Sequence, residues 1–131
     1  MKQNGFALVG AIFVLVALGL LGGYMVGLSG VQVGTFNLAL QGTRAYQAAH
    51  AGTEWAAARI NNGGTCTEIN AQTAMTFNGL SGFEVHLSCE SEAVSEGNQS
   101  LTFYRINALS QFGTYTSADY VARELQFSML R

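Results

Sequence analysis

Residues 6–28 read FALVGAIFVLVALGLLGGYMVGL, and this uncharged stretch decides the architecture. As an α-helix it rises roughly 35 Å at about 1.5 Å per residue. That is enough to cross the ~30 Å hydrocarbon core of a bilayer. A secretory signal peptide is the competing reading. Its apolar core would be shorter and would end at a small-x-small cleavage site. Here the apolar run continues past that length, and no proline anywhere in the chain ends the helix. The stretch predicts one membrane helix with its N-terminus inside, an orientation supported by Lys2 alone among side-chain charges.

Working outward, no charged residue lies between Lys2 and Arg44. Within this region Gly19, Gly23 and Gly27 are spaced by four, as are Gly30 and Gly34. Small residues at that spacing let helices approach closely in lipid; a membrane helix that merely tolerates glycine is the alternative. From about Thr35 to Ile60 the pattern turns amphipathic. Leu38, Gly42, Ala45, Ala49, Gly52, Ala56 and Ile60 recur every three or four residues, which puts them on one narrow, small-residue face for a sheet to approach. Asn37, Gln41, Arg44, Gln47 and Glu54 fall largely opposite, and Trp55 and Phe36 lie off the stripe. Those two aromatics pack either on the flank of the sheet or on neighbouring subunits. Asn61-Asn62-Gly63-Gly64 is a strong stop. The span and the amphipathic half together read as one helix over residues 6–60.

Beyond it, residues 61–131 read as a small β-rich domain. Phe83, Val85, Leu87 and Cys89 alternate with Glu84, His86, Ser88 and Glu90, the period of a half-buried strand. A second strand is expected over residues 100–109. In a third, Val121, Leu125, Phe127 and Met129 alternate with Ala122, Glu124, Gln126 and Ser128, and Arg123 interrupts its apolar side as a residue near a sheet edge would. Asn78-Gly79, Gly97-Asn98 and Thr116-Ser117 mark turns. The fold class is α+β: a long N-terminal helix packed on three or four antiparallel strands. About 70 residues make a marginal core. Bridging Cys66 to Cys89 would close a loop of about two dozen residues, worth roughly 3 kcal/mol in the chain-entropy model, and a domain outside the cytoplasmic membrane sits where disulfides persist. Two free thiols, or a metal pair with His86, are the alternatives.

Composition argues against several functions. The net charge of −2 and the lone lysine leave no basic patch for nucleic acid, since only Arg105, Arg123 and Arg131 follow the helix. Gly27-Leu28-Ser29-Gly30 has the wrong spacing for a nucleophile elbow. No phosphate loop and no H-E-x-x-H occurs. His50 and Glu54, four apart on the helix, could share a metal, but no third ligand is in view and a solvated pair is expected. Asp119 is the sole aspartate, so no carboxylate pair suggests itself. We expect no catalysis, no cofactor and no metal.

The leader Met-Lys-Gln-Asn-Gly5 followed by Phe6-Ala7-Leu8-Val9 and a long apolar helix resembles a type IV prepilin and its processing site. The run from Gln41 to Trp55 is similar to the second helical half of minor pilins of the MshP type, from the mannose-sensitive haemagglutinin (MSHA) pilus, and of the related PilX group. Tyr104-Arg105-Ile106-Asn107-Ala108 and Arg123-Glu124-Leu125 are similar to their closing strands. The likeness is strong over residues 5–60 and loose from 61 onward. It implies a leader at 1–5, cleavage by a prepilin peptidase after Gly5 and methylation of Phe6. The implied partners are other major and minor pilins, met through the helix, and the inner-membrane assembly platform. The implied location is the inner membrane of a Gram-negative bacterium, with the C-terminal domain in the periplasm, and then a surface pilus. Pilins usually carry glutamate as the fifth mature residue, where it pairs with the N-terminal amine of a neighbouring subunit; this chain has Gly10. The resemblance therefore implies a subunit that joins or primes a pilus at or near its tip. Two other classes remain: a tip-exposed adhesin or DNA-uptake subunit, and a membrane-anchored periplasmic binding or assembly protein unrelated to pili.

Overall fold

The computed structural model describes residues 4–131; residues 1–3, most of the expected leader and Lys2 with it, lie outside the described residues, as do the side chains of residues 4–6. Helix α1 spans Asn4–Asn61, and a short helix α2 spans Cys66–Asn70. Three strands follow: β1 (Phe83–Glu96), β2 (Gln99–Phe112) and β3 (Val121–Leu130). They form one antiparallel sheet in the order β1-β2-β3. The chain divides into two compact units between Asn37 and Leu38, inside α1.

The N-terminal unit is helix alone. From Ala7 to Asn37 every residue except the half-buried Ala17 is exposed. Its later polar side chains are satisfied by the helix itself. Ser29 Oγ donates to the Met25 carbonyl at 3.1 Å, and Thr35 Oγ1 donates to the Val31 and Gln32 carbonyls. Such back-bonding lets a hydroxyl sit in an apolar helix without water.

In the C-terminal unit the second half of α1 packs on the sheet. The buried stripe is Gly42, Ala45, Ala48, Ala49, Gly52, Thr53, Ala56 and Ile60. It begins one turn later than the periodicity suggests, because Leu38 is exposed. Close approach explains the small residues: a Cβ on Gly52 would lie 2.7 Å from Val85 Cγ1 and 3.2 Å from Leu87 Cδ2. Gln41, expected on the polar face, is half-buried instead, and its Oε1 has no hydrogen-bond partner. It adjoins the first buried turn, so the boundary of the stripe takes in a polar side chain.

The stop behaves as its sequence suggests. Gly63 takes φ +91°, its N–H donates to the Ile60 carbonyl at 3.0 Å, and the Gly64 N–H donates to the Arg59 carbonyl at 2.9 Å. Two bonds in this nested pattern satisfy helix-end carbonyls that would otherwise have no partner. Arg131 adds a side-chain donor to the same Ile60 carbonyl.

The inner face of the sheet carries Phe83, Val85, Leu87 and Cys89 from β1 and Ile106, Ala108 and Ser110 from β2, all buried. The outer face carries Glu84, His86, Ser88 and Glu90, all exposed, as strand alternation requires. The β1–β2 hairpin turns at Gly97-Asn98, with Gly97 at φ +62°, where a two-residue loop favours glycine first. Both strands run longer than their sequence pattern implied, β1 to Glu96 and β2 to Phe112. Cross-strand pairing carries them past the end of the burial alternation, which stops at Cys89 in β1. Trp55 is half-buried against the core, with Arg59 stacked over its ring at 5.9 Å, which answers the question of the sheet's flank for that residue. Phe36 lies in the other unit and is exposed.

Candidate functional site

Three features were singled out by sequence: the apolar helix with its fifth mature position, the cysteine pair, and the His50–Glu54 helical pair. The first is an exposed apolar surface rather than a pocket. Leu8, Phe13, Leu20 and Val26 are 66%, 72%, 71% and 74% exposed. Isolated exposed leucines need no explanation, but a contiguous helix surface of this kind marks contact with lipid or with other chains. This helix is long and apolar enough to cross a membrane. Gly5 and Phe6 fall in helical backbone at its start. At Gly10 a Cβ would meet nothing within 4 Å among the described residues.

The second feature is a disulfide. Cys66 and Cys89 are bonded, with Cα atoms 5.0 Å apart, which removes the free-thiol and metal alternatives for this pair. The bridge ties α2 to β1. Two further contacts, which the sequence reading missed, flank it on the same edge of β1. The Asn70 side chain accepts from the Cys89 N–H at 2.7 Å and donates to the Cys89 carbonyl at 2.9 Å. Met75 exchanges two main-chain bonds with Val85, at 2.9 and 2.8 Å. An amide side chain satisfies both main-chain groups of one strand residue here, as a neighbouring strand would. One local signal was legible: Thr65-x-x-Glu68 has the spacing of a helix N-terminus, and Thr65 is the extended residue preceding α2, although its side chain makes no capping bond. Nothing in the sequence marks Asn70, because its partner is nineteen positions away.

The third feature is modest. His50 Nδ1 and Glu54 Oε1 stand 3.8 Å apart, and both side chains are largely exposed. Among the described residues no group of three metal-binding side chains gathers. Beside this pair an open groove of about 350 Å³ runs between α1 and β3, lined by His50, Thr53, Ala57, Ala58, Asn61 and Phe127. Phe127 projects from the inner side of β3 and is 40% exposed at the groove mouth. Arg123, on the same side of β3, lies over α1 with its guanidinium 3.2 Å from where a Gly42 Cβ would stand. It does sit on an edge strand, as its interruption of the apolar pattern suggested. The groove offers apolar surface with a polar rim and no convergent set of reactive groups. Compared with known proteins, the chain matches no family model, no curated protein and no solved structure.

Proposed function

We propose that this chain is a minor pilin that joins or primes a type IV pilus, of the MSHA-like kind, at or near its tip and without catalysing a reaction. The observation that carries the reading is the two-sided use of one helix. Its first half is apolar and uncovered, as a segment must be that passes from lipid into a bundle of like helices. Its second half is small-faced and covered by a disulfide-stapled sheet. Association of apolar surface is non-directional and scales with the area removed from water, so such a helix can leave a bilayer for a protein bundle at little cost. On this reading the C-terminal unit is periplasmic before assembly and on the cell surface afterwards. The partners are other pilins, a prepilin peptidase and the inner-membrane assembly platform.

Gly10 supports the tip assignment. A buried N-terminal amine without a carboxylate partner is costly, and this subunit lacks the carboxylate it would offer to a subunit ahead. It can therefore lead a filament but lacks the directional bond for insertion below another subunit. Mass spectrometry of the mature chain from cells with active prepilin peptidase tests the family reading. A methylated Phe6 as first residue is expected, and an intact Met1 would rule it out. Immunogold labelling of purified pili tests position: label at filament ends is expected, and dense label along the shaft would defeat the tip assignment while leaving the pilin assignment standing.

A further inference from the structure

The two edges of the sheet are treated differently. The β1 edge is covered at Val85 by Met75 and at Cys89 by Asn70, with the Cys66–Cys89 bridge fastening α2 beside it. The β3 edge has no such cover. Arg131 and Thr102 exchange main-chain bonds across β3 and β2, so odd-numbered residues of β3 face β2 and even-numbered ones face outward. At the start of that edge the Arg123 guanidinium donates to the Ala122 carbonyl at 3.3 Å. The outward main-chain groups of Glu124, Gln126 and Ser128 have no partner among the described residues, and all three residues are exposed. An uncovered edge is a template for another strand, which natural proteins usually block. Here one edge is blocked and the other opens onto a groove.

We infer that the β3 edge receives an extended segment of a different polypeptide as a fourth strand, with apolar side chains entering the groove and basic ones facing Glu124. Directly opposed residues in an antiparallel pair share a face. Side chains set opposite Leu125 and Phe127 therefore point toward Thr53, Ala57 and Ala58, where small residues leave the groove open. Those set opposite Glu124 and Gln126 lie on the outer face, where Glu84, Glu90 and Glu124 are exposed and Arg105, 3.4 Å from Glu90, is the one cation on that side of β2. Like charges directly opposite one another are unfavourable, so the acidic face selects lysine or arginine.

A second copy of this chain does not fit. Antiparallel pairing of two β3 edges in one sheet needs a two-fold axis perpendicular to that sheet. Such an axis reverses every direction in the sheet plane, including that of the helix packed on it. The Leu38 ends of the two packed helices would then point in opposite directions, whereas each must be joined through a short stretch of chain to a span in the same bilayer; this step rests on the membrane reading of α1. Parallel pairing turns one sheet over and sets Glu124, Gln126 and Ser128 of one copy beside Leu125 and Phe127 of the other. Pairing β3 with another copy's β1 meets the cover formed by Met75 and Asn70.

The test uses the full chain in detergent micelles and a short synthetic peptide of alternating valine and lysine. Amide hydrogen exchange at Glu124, Gln126 and Ser128 is expected to slow roughly tenfold on adding the peptide, with the Leu87 amide on the opposite edge unchanged. The same peptide N-methylated at its lysine amides, which face Glu124 and Gln126, should give no slowing, and a valine–glutamate peptide much less. Gln126→Pro removes the central donor at a position where an edge strand tolerates proline, and protection at Glu124 and Ser128 should vanish. Slow exchange at Ile106 and Ala108 reports that the variant is folded, and the N-methylated peptide on the unaltered chain serves if it is not. The inference is overturned by no slowing, by equal slowing with the N-methylated peptide, or by equal slowing with the glutamate peptide. Slow exchange at the edge without peptide, accompanied by a doubled mass in sedimentation, also overturns it and assigns the edge to a second copy. None of these readouts depends on processing at Gly5, so failure here and failure of the pilin reading are separable.

Discussion

The two halves of α1 use glycine in opposite ways. At Gly10, Gly19, Gly22, Gly23, Gly27, Gly30 and Gly34 a side chain would meet nothing within 4 Å. At Gly52 it would run into Val85 and Leu87, and at Gly42 into the Arg123 guanidinium. Glycine costs an exposed helix about 1 kcal/mol relative to alanine. In the second half that cost is offset within the fold, because losing the Cβ lets Val85, Leu87 and Ala108 close over the helix. In the first half no neighbour among the described residues offsets it. On the proposed reading, lipid or other helices approaching the same surface supply the compensation. Residue type and spacing look alike in both halves, and what separates them is whether anything stands opposite.

The strongest way to break the comparison is to loosen the sheet that covers the second half. Replacing both Cys66 and Cys89 with alanine is expected to lower the stability of the C-terminal unit by about 3 kcal/mol. The Asn70 and Met75 bonds to β1 remain possible, so the loss should appear as easier unfolding rather than absence of the fold. Trp55 is the only tryptophan and is half-buried in this unit, so its fluorescence in a urea titration reports on this half alone. Helical amide protection around Leu15–Leu21 should not change. An unaltered urea midpoint would mean that the bridge is incidental to the unit's stability.

Gly52→Ala sharpens the contrast at one residue. The new Cβ gains up to about 1 kcal/mol in helix propensity. It also enters a space 2.7 Å from Val85 Cγ1, on a β-branched side chain with restricted rotamers whose backbone is held by Met75. Overpacking a closed core costs roughly 1–3 kcal/mol. A net loss of about 1–2 kcal/mol is expected by the same fluorescence titration. A raised midpoint would show that the helix and sheet have room to separate, and that the small-residue stripe is looser than its geometry indicates.

The sequence made some of this legible and hid the rest for physical reasons. Strict period-two alternation from Phe83 to Cys89 revealed β1, and the helix stop was readable because its chemistry is local to Gly63 and Gly64. The apolar span and the cysteine pair were equally plain. Leu38 was misplaced because helical periodicity assigns a face but not where cover begins along it; the buried stripe starts one turn later, at Gly42. Helix α2 escaped because five residues leave no periodic signal. Arg123 marked β3 as lying near an edge, but that this edge is open could not be read. Strand order, and the use of Asn70 and Met75 to close the other edge, depend on contacts between residues distant in sequence. Among the functional readings, Gly5, Phe6 and Gly10 rest on a motif at the start of the helix, where the fold adds only helical backbone and open space.

The smallest expected effect is at Gly23, and its smallness is the point. Gly23→Ala adds a methyl group in the N-terminal unit with no atom of the described residues within 4 Å. Sites without shared contacts are usually independent within about 0.5 kcal/mol. The Trp55 midpoint should therefore stay within that margin, in contrast to Gly52→Ala. What should change is association. If Gly19, Gly23 and Gly27 form a surface along which another helix approaches closely, a methyl group at the centre holds that helix away, and the amount of this chain recovered in assembled pili should fall. Unchanged assembly together with an unchanged midpoint would assign these glycines to mere tolerance within an apolar helix. A shifted Trp55 midpoint would break the comparison itself, because it would couple the halves of α1 through a route that the contacts within each half do not provide.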